Sequence, residues 1–336
     1  MSMDILSLMQ RLDACHGVSG SEKEIAALLT ELARPYVDEI TTDVMGNLFC
    51  HKKGDGPKVM FAAHMDSIGM IVTHIEDNGF LRIGKVGGLN LNALLYIPVR
   101  FANGTRGCIG ADQSADLKKL SIEDLFIDIG AHSREEAEKK VRIGDTAVFD
   151  TPTFAAGDRL ISPYMDNRIS CVVQLGALEM LKNSSNDLYF VFTTQEEVGL
   201  RGAKTAAYAI DPDYAIAIDV TLADDEPGAK HNGSSVLGNG AAIKVMDGSV
   251  ICHPQMVAKL TDLACANEIA YQSDVIRSGG TDAGAIHVSR TGVYTGGISI
   301  PCRYIHTPTE MVQISDVEAC IQLTSAFACA RLESGV

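Results

Sequence analysis

No apolar run in this chain approaches the ~20 residues that a membrane-spanning helix needs, and its opening MSMDILSLMQRLDACHG carries Asp4 but no basic stretch. Neither a membrane span nor an export signal is expected, and the first residues read as a helix of a folded domain. Paired cysteines are missing too. The nine cysteines are scattered singly with no CxxC, so they read as reduced, mostly buried apolar residues of a cytoplasmic protein, without a disulfide framework. Positive charge is scarce: 28 basic residues face 43 acidic ones, for a formal net charge of −15. Nucleic acid is a poor partner for such a chain, because binding it needs basic clusters that release phosphate counterions. The surplus suits a site for cations, although most acidic residues simply sit on solvated faces. There is no HExxH, and Gly238-Asn239-Gly240 is only half of a dinucleotide fingerprint, read as a turn.

What is present is organised. With 336 residues the chain has room for one large domain carrying an insertion, or for two domains. Ser21-Glu22-Lys23-Glu24 fits a capping box ahead of Ile25, Leu28, Leu29 and Leu32, predicting a helix over 21–34. Strands follow around 47–53 and 58–63. From about 68 to 152 the texture changes to short β-rich pieces broken by Gly and Asn turns, with one short charged helix near 133–140. Beyond 153, helices near 167–182, 200–208, 253–267 and 316–332 alternate with strands at 188–193, 214–218 and 292–300. The expected fold is α/β: a mostly parallel central sheet flanked by helices, interrupted by a β-barrel-like insertion domain. Its boundaries are 1–67 and 153–336 for the α/β unit and 68–152 for the insertion.

In open α/β sheets, ligands bind beyond the carboxyl ends of strands. In this chain five predicted strand ends each run into a metal-ligating residue type: His64, Asp166, Glu197, Asp219 and His306. Singly, each has a plainer reading. Asp166 could be a helix N-cap, Asp219 a turn cap, Glu196-Glu197 a solvated step, and His64 or His306 a structural histidine. Jointly, at corresponding strand ends, they point to metal. Imidazole mixed with carboxylate favours zinc, cobalt or manganese over calcium or magnesium. Two ions fit if one carboxylate bridges, with a water between them as nucleophile. Asp66, two residues after His64 in an extended segment, faces the same way and can accept the second N–H of that imidazole. Of the adjacent glutamates, one can ligate while the other acts as general base.

The strings that carry these residues are AAHMDSIGMIV (62–72), YMDNR (164–168), TTQEEVGLRGA (193–203), AIDVTLADDEPG (217–228), SGGTDAGAIH (278–287) and RYIHTPTE (303–310). Together they resemble the glutamyl aminopeptidase and tetrahedral aminopeptidase family of co-catalytic metallopeptidases, some of whose members are described as endoglucanases. The resemblance runs from about Gly17 to the C-terminal helix and is weakest across 76–152. It implies that His64 and Asp219 hold one ion, Glu197 and His306 the other, and that Asp166 bridges them. Glu196 would be the general base and acid, with Asp66 orienting His64. It further implies a cis peptide after Asp166, a substrate groove lined by Gly279, Gly280 and Thr281, and a barrel-like insertion that mediates dimerisation. Dimers would build a homo-oligomer, up to a tetrahedral dodecamer. Peptides are the implied substrates, trimmed at the N-terminus. One departure is Ser67, where the family usually carries Glu; the change bears on polarity near the first ion. The rival readings are a two-metal deacylase or amidohydrolase on small acylated substrates, a metal-free glycosidase, and a shell-forming homologue without catalysis.

Overall fold

The computed structural model describes residues 3–333. Its framework is an 11-stranded sheet whose centre is a run of four neighbouring strands, Asp187–Thr193, Lys58–His64, Tyr214–Leu222 and Tyr294–Arg303. All three pairings within this run are parallel. Parallel strands covered by helices on both faces read as continuous apolar runs rather than alternating ones. Val59-Met60-Phe61-Ala62-Ala63 is such a run, each residue at most 1% exposed. The margins are antiparallel: Leu48–Lys52 and Glu39–Thr42 on one side, Glu310–Gln313, Arg159–Ser162 and Phe154–Ala156 on the other.

The helix Met165–Met180 packs into the main core and is buried through Leu178. It lies so close to the helix Ile314–Ala328 that a Cβ on Gly176 would come within 2.8 Å of the Ile321 side chain. The helix predicted from 167 is regular from Arg168 onward. The element begins at Met165, but Asp166 and Asn167 have non-helical dihedrals and the peptide between them is cis. Two expectations are revised. Ser21 does not cap the helix Lys23–Ala33; the N-cap is Glu22, whose carboxylate instead accepts from the backbone of Gly20 and Gln195. Asp219 lies within its strand rather than beyond it, because Tyr214–Leu222 stays paired to Tyr294–Arg303 along its whole length.

Between the strand ending at His64 and the margin strand Phe154–Ala156, the chain forms a closed barrel. Its strands are Gly69–Ile75, Leu81–Val86, Leu125–Asp128, Arg106–Ala111, Pro98–Phe101 and Thr146–Phe149, in order around the barrel. Closure removes the unpaired edges that a short antiparallel sheet would otherwise expose. The interior is filled by side chains such as Phe101, Ile109, Leu125 and Ile127, a core distinct from that of the large sheet. The strand Leu125–Asp128 was not predicted, and the charged helix near 133–140 shortens to Arg134–Glu138. Among the described residues no helix is long and apolar enough to cross a membrane.

Candidate metal centre

The parallel strands of the sheet deliver their charged residues to one end. His64 closes the strand Lys58–His64 and is 1% exposed. Its Nδ1 lies 3.1 Å from the main-chain oxygen of Asp66. A carbonyl only accepts, so Nδ1 carries a proton, and Nε2 is the nitrogen turned to the acidic cluster. Nε2 points at Asp166 Oδ1, 3.0 Å away, with Glu196 Oε2 and Asp219 Oδ1 each at 3.8 Å. Across the cluster, His306 Nε2 sits 3.3 Å from Asp166 Oδ2 and 3.3 Å from Glu197 Oε2. Asp166 therefore turns one oxygen to each imidazole.

Two groups here could hold an ion, His64 with Glu196 and Asp219, and His64 with Asp166 and Glu197. The electrostatics fit such occupancy. Among the described residues no lysine or arginine lies within ion-pairing distance of Asp166, Glu196, Glu197 or Asp219. Glu197 Oε1 is buried without a partner. Burial, followed by the charges of Asp219, Asp282 and Glu197, pushes the Glu196 carboxyl well above its ordinary range, with only His64 opposing. Burial and then Asp166 and Asp282, opposed by His64, do the same to Asp219, and burial and Asp166 raise Glu197. Burial alone would depress His306, yet the carboxylates of Asp166 and Glu197 outweigh it and hold the imidazole up at about 12. Crowded acids around two imidazoles lack positive charge, and divalent cations bound by mixed nitrogen and oxygen donors would supply it.

The loops that present these groups are fixed by buried carboxylates. Asp66 Oδ1 accepts from the Glu196 backbone at 3.0 Å, and Oδ2 accepts from Glu197 at 3.3 Å and from the Ser19 hydroxyl at 2.6 Å. Its carboxylate lies 3.5 Å from His64 Nδ1, farther than its own main-chain oxygen. The expected support of His64 by Asp66 thus comes chiefly through the backbone, because the carboxylate satisfies the N–H groups of the 196–197 turn. Glu310, which sequence reasoning passed over, works in the same way. Its two oxygens accept from the backbone of Asp166 at 2.8 Å and of His306 at 2.7 Å, tying two distant segments together. Asn167 donates to the carbonyl of Ile218, the residue before Asp219, at 3.0 Å. Gln195, Leu200, Tyr304 and His306 all adopt positive φ. That conformation costs non-glycine residues about 1 kcal/mol or more each and gathers at functional loops.

The barrel approaches the cluster through Gly87-Gly88, another contact that no sequence signal gave. A Cβ on Gly88 would stand 2.8 Å from His306 Nδ1, and one on Gly87, at φ +78°, 3.2 Å from Glu197 Cβ. Ser67 is fully buried, its hydroxyl 3.3 Å from the carbonyl of Gly17. A cavity of about 470 Å³ opens over the cluster, and Gly279, Gly280 and Thr281 line it beside His64, Asp166, Glu196, Glu197, Asp219 and His306. A larger cavity of about 600 Å³, between the helix Lys23–Ala33 and the barrel, holds none of the predicted site residues.

Residues 46–323 match the M42 glutamyl aminopeptidase family. The chain belongs to that family. It is an aminopeptidase, a hydrolase of peptide bonds, like its M42 relatives. The lysyl aminopeptidase of Pyrococcus furiosus is 37% identical over 338 residues, covering 95% of each chain. The structure of an aminopeptidase from Desulfurococcus kamchatkensis superposes with a TM-score of 0.93 at 43% identity, over 97% of this chain and 94% of that one. A TET peptidase of Pyrococcus horikoshii, which can assemble into a tetrahedron or a large octahedral shell, gives 0.88 at 32% identity over 97% and 99%.

Proposed function

We propose that this M42 chain is a two-metal aminopeptidase that releases N-terminal residues from peptides, with Glu196 as its general base. The observation that carries the reading is the two-sided placement of Asp166, 3.0 Å from the imidazole of His64 and 3.3 Å from that of His306. His64 and Asp219 would hold one ion, Glu197 and His306 the other, and Asp166 would be shared. The mixed donor set favours zinc or cobalt, with manganese next. Bound ions would polarise the scissile carbonyl and lower the pKa of an attacking water.

The chain's own residues do the rest. Glu196 takes a proton from the attacking water and returns it to the nitrogen of the leaving amine. Asp66 and Glu310 hold the Glu196–Glu197 turn and the Asp166 and His306 backbones in place, so that little reorganisation is needed as charge develops. Residues 1–67 and 153–336 act as the catalytic unit. The insertion, 68–152, pairs copies of the chain into dimers that build a tetrahedral dodecamer, a reading supported by the assembly of the Pyrococcus horikoshii relative. Free cysteines at all nine positions suit a reducing, cytoplasmic setting.

The test compares aminoacyl-p-nitroanilides with their N-acylated counterparts, before and after chelation. Hydrolysis is expected to require the free α-amine, to vanish with chelator and to return with zinc or cobalt. Preference for N-acyl substrates would turn the reading into a deacylase, and activity that survives complete removal of metal would end it.

A further inference from the structure

Family relatives carry lysyl and glutamyl in their names, and a pocket for either first residue needs a counter-charge in its wall. The cavity over the cluster has none to spare. Its charged lining, Asp166, Glu196, Glu197, Asp219, His64 and His306, is the centre itself, occupied in facing cations. Beyond it the wall carries no charge: Leu200, Val220, Leu222, Ile276 and Ile305 are aliphatic, and the rest is Thr221 and the Ser278–Thr281 loop. Leu222 and Ile276 are half-buried and belong to none of the hydrophobic clusters formed by the described residues. Their apolar surface faces the cavity without a partner and gains by being covered.

None of the nearby charged side chains outside the centre lines the cavity. Arg303, within a motif string, is bound to Asp225 at 2.6 Å and does not line the cavity. Arg277 is exposed and lies outside the lining as well. Lys244 sits behind the wall, 1% exposed, with its ammonium 2.6 Å from Asp274. Between that pair and the cavity stands Thr221, whose hydroxyl donates to Asp274 at 3.0 Å and accepts from Lys244 at 3.3 Å, leaving it committed on both sides. Asp282 is buried under a 2.5 Å hydrogen bond from Thr193 and is not part of the lining.

We infer that this aminopeptidase selects peptides whose first residue is uncharged and apolar, of the leucine or phenylalanine kind, and that Ile276 and Leu222 form the wall that selects them. The inference rests on the aminopeptidase reading above. A lysyl or glutamyl side chain would enter the same space with its charge desolvated and unpaired, which is strongly disfavoured. A cavity of about 470 Å³ has room for a large first side chain together with the start of the next residue.

The experiment measures kcat/KM of the metal-replete enzyme on leucyl-, phenylalanyl-, glutamyl- and lysyl-p-nitroanilide. The apolar pair should exceed the charged pair by on the order of a hundredfold. Equal or higher values for glutamyl or lysyl substrate would overturn the inference while leaving the aminopeptidase intact. Failure to cleave any of the four would instead bring down the aminopeptidase reading and the inference with it. Ile276→Asp places a carboxylate in the wall and should raise the lysyl-to-leucyl ratio by roughly tenfold or more. A folded, active variant with an unchanged ratio would remove Ile276 from the selecting wall.

Discussion

The end of the large sheet and the barrel handle charge in opposite ways. In the barrel, ionic groups are paired at the surface, as where Arg82 meets Glu76 at 2.6 Å and Asp112 at 3.0 Å, and the interior is wholly aliphatic and aromatic. At the sheet end, Asp166, Glu196, Glu197 and Asp219 are buried around two imidazoles, and among the described residues no lysine or arginine lies within ion-pairing distance of them. Surface pairs contribute little to stability, about 0–1 kcal/mol, so the barrel loses little by keeping them and gains nothing by burying more. Buried, uncompensated acids cost far more and persist where something outside the chain completes them. The contrast locates function by electrostatic incompleteness: the barrel is finished by its own atoms, whereas the sheet end waits for cations.

The contrast can be broken most severely at Glu196. Glu196→Gln is expected to lower turnover by roughly 10²- to 10⁴-fold while metal content, measured on the purified protein, stays at the wild-type level. Its Oε2 lies 3.8 Å from His64 Nε2, within a group able to ligate. Loss of an ion in this variant would therefore make Glu196 a ligand and not the base.

The seam between the regions offers a second test. His16 is 3% exposed, and its Nε2 lies 2.7 Å from the Thr146 hydroxyl on a barrel strand. Burial, then the charges of Arg100 and Arg168, lowers this imidazole to about 4 from an ordinary 6.5. Between those values the unfolded chain takes up a proton that the folded chain refuses, so stability falls as pH drops from 6.5 towards 4. The full effect is roughly 3 kcal/mol. Thermal melts at pH 7 and pH 4.5 should show a larger drop for the wild type than for His16→Asn, and equal drops would show that the seam carries no such proton linkage.

Gly88 sharpens the comparison with the smallest change. Although the barrel gives the centre no charged group, a methyl here would meet His306 at 2.8 Å. Gly88→Ala should weaken binding of the ion on the His306 side by about 10- to 100-fold, as loss of a ligand-orienting contact does, with the melting temperature little changed. Unaltered affinity by titration calorimetry would mean that His306 shifts freely and that the barrel is a bystander.

Much of this arrangement could be read from the chain because the carboxyl ends of strands converge. His64 and Asp219 lie in recognisable strands and Asp166, Glu197 and His306 follow others, and the fold carries all five to one cavity. What escaped notice was whatever depends on packing between distant segments. Glu310 looks like a loop acid until its oxygens are seen to hold both Asp166 and His306. Gly87-Gly88 looks like a barrel turn until the centre lies against it. The strand Ala241–Met246 was missed because Lys244 interrupts its apolar pattern, a charge that only its pairing with Asp274 makes tolerable. Its neighbour Tyr271–Val275 is a mostly exposed edge with little hydrophobic signal.

The bond that Glu310 makes to both Asp166 and His306 also has a bearing on how the molecule comes into being. The centre is assembled from positions running from 64 to 310, so almost every contact in it closes a long loop and belongs to the late, non-local part of folding. A growing chain emerging from the ribosome would hold His64 and the whole barrel long before the segment with His306 and its brace existed. Until then it would lack His306, one of the five proposed ligands, and the carboxylate that holds the Asp166 and His306 backbones. The residues of the centre are therefore complete only once the last of the described strands, Glu310–Gln313, has been made.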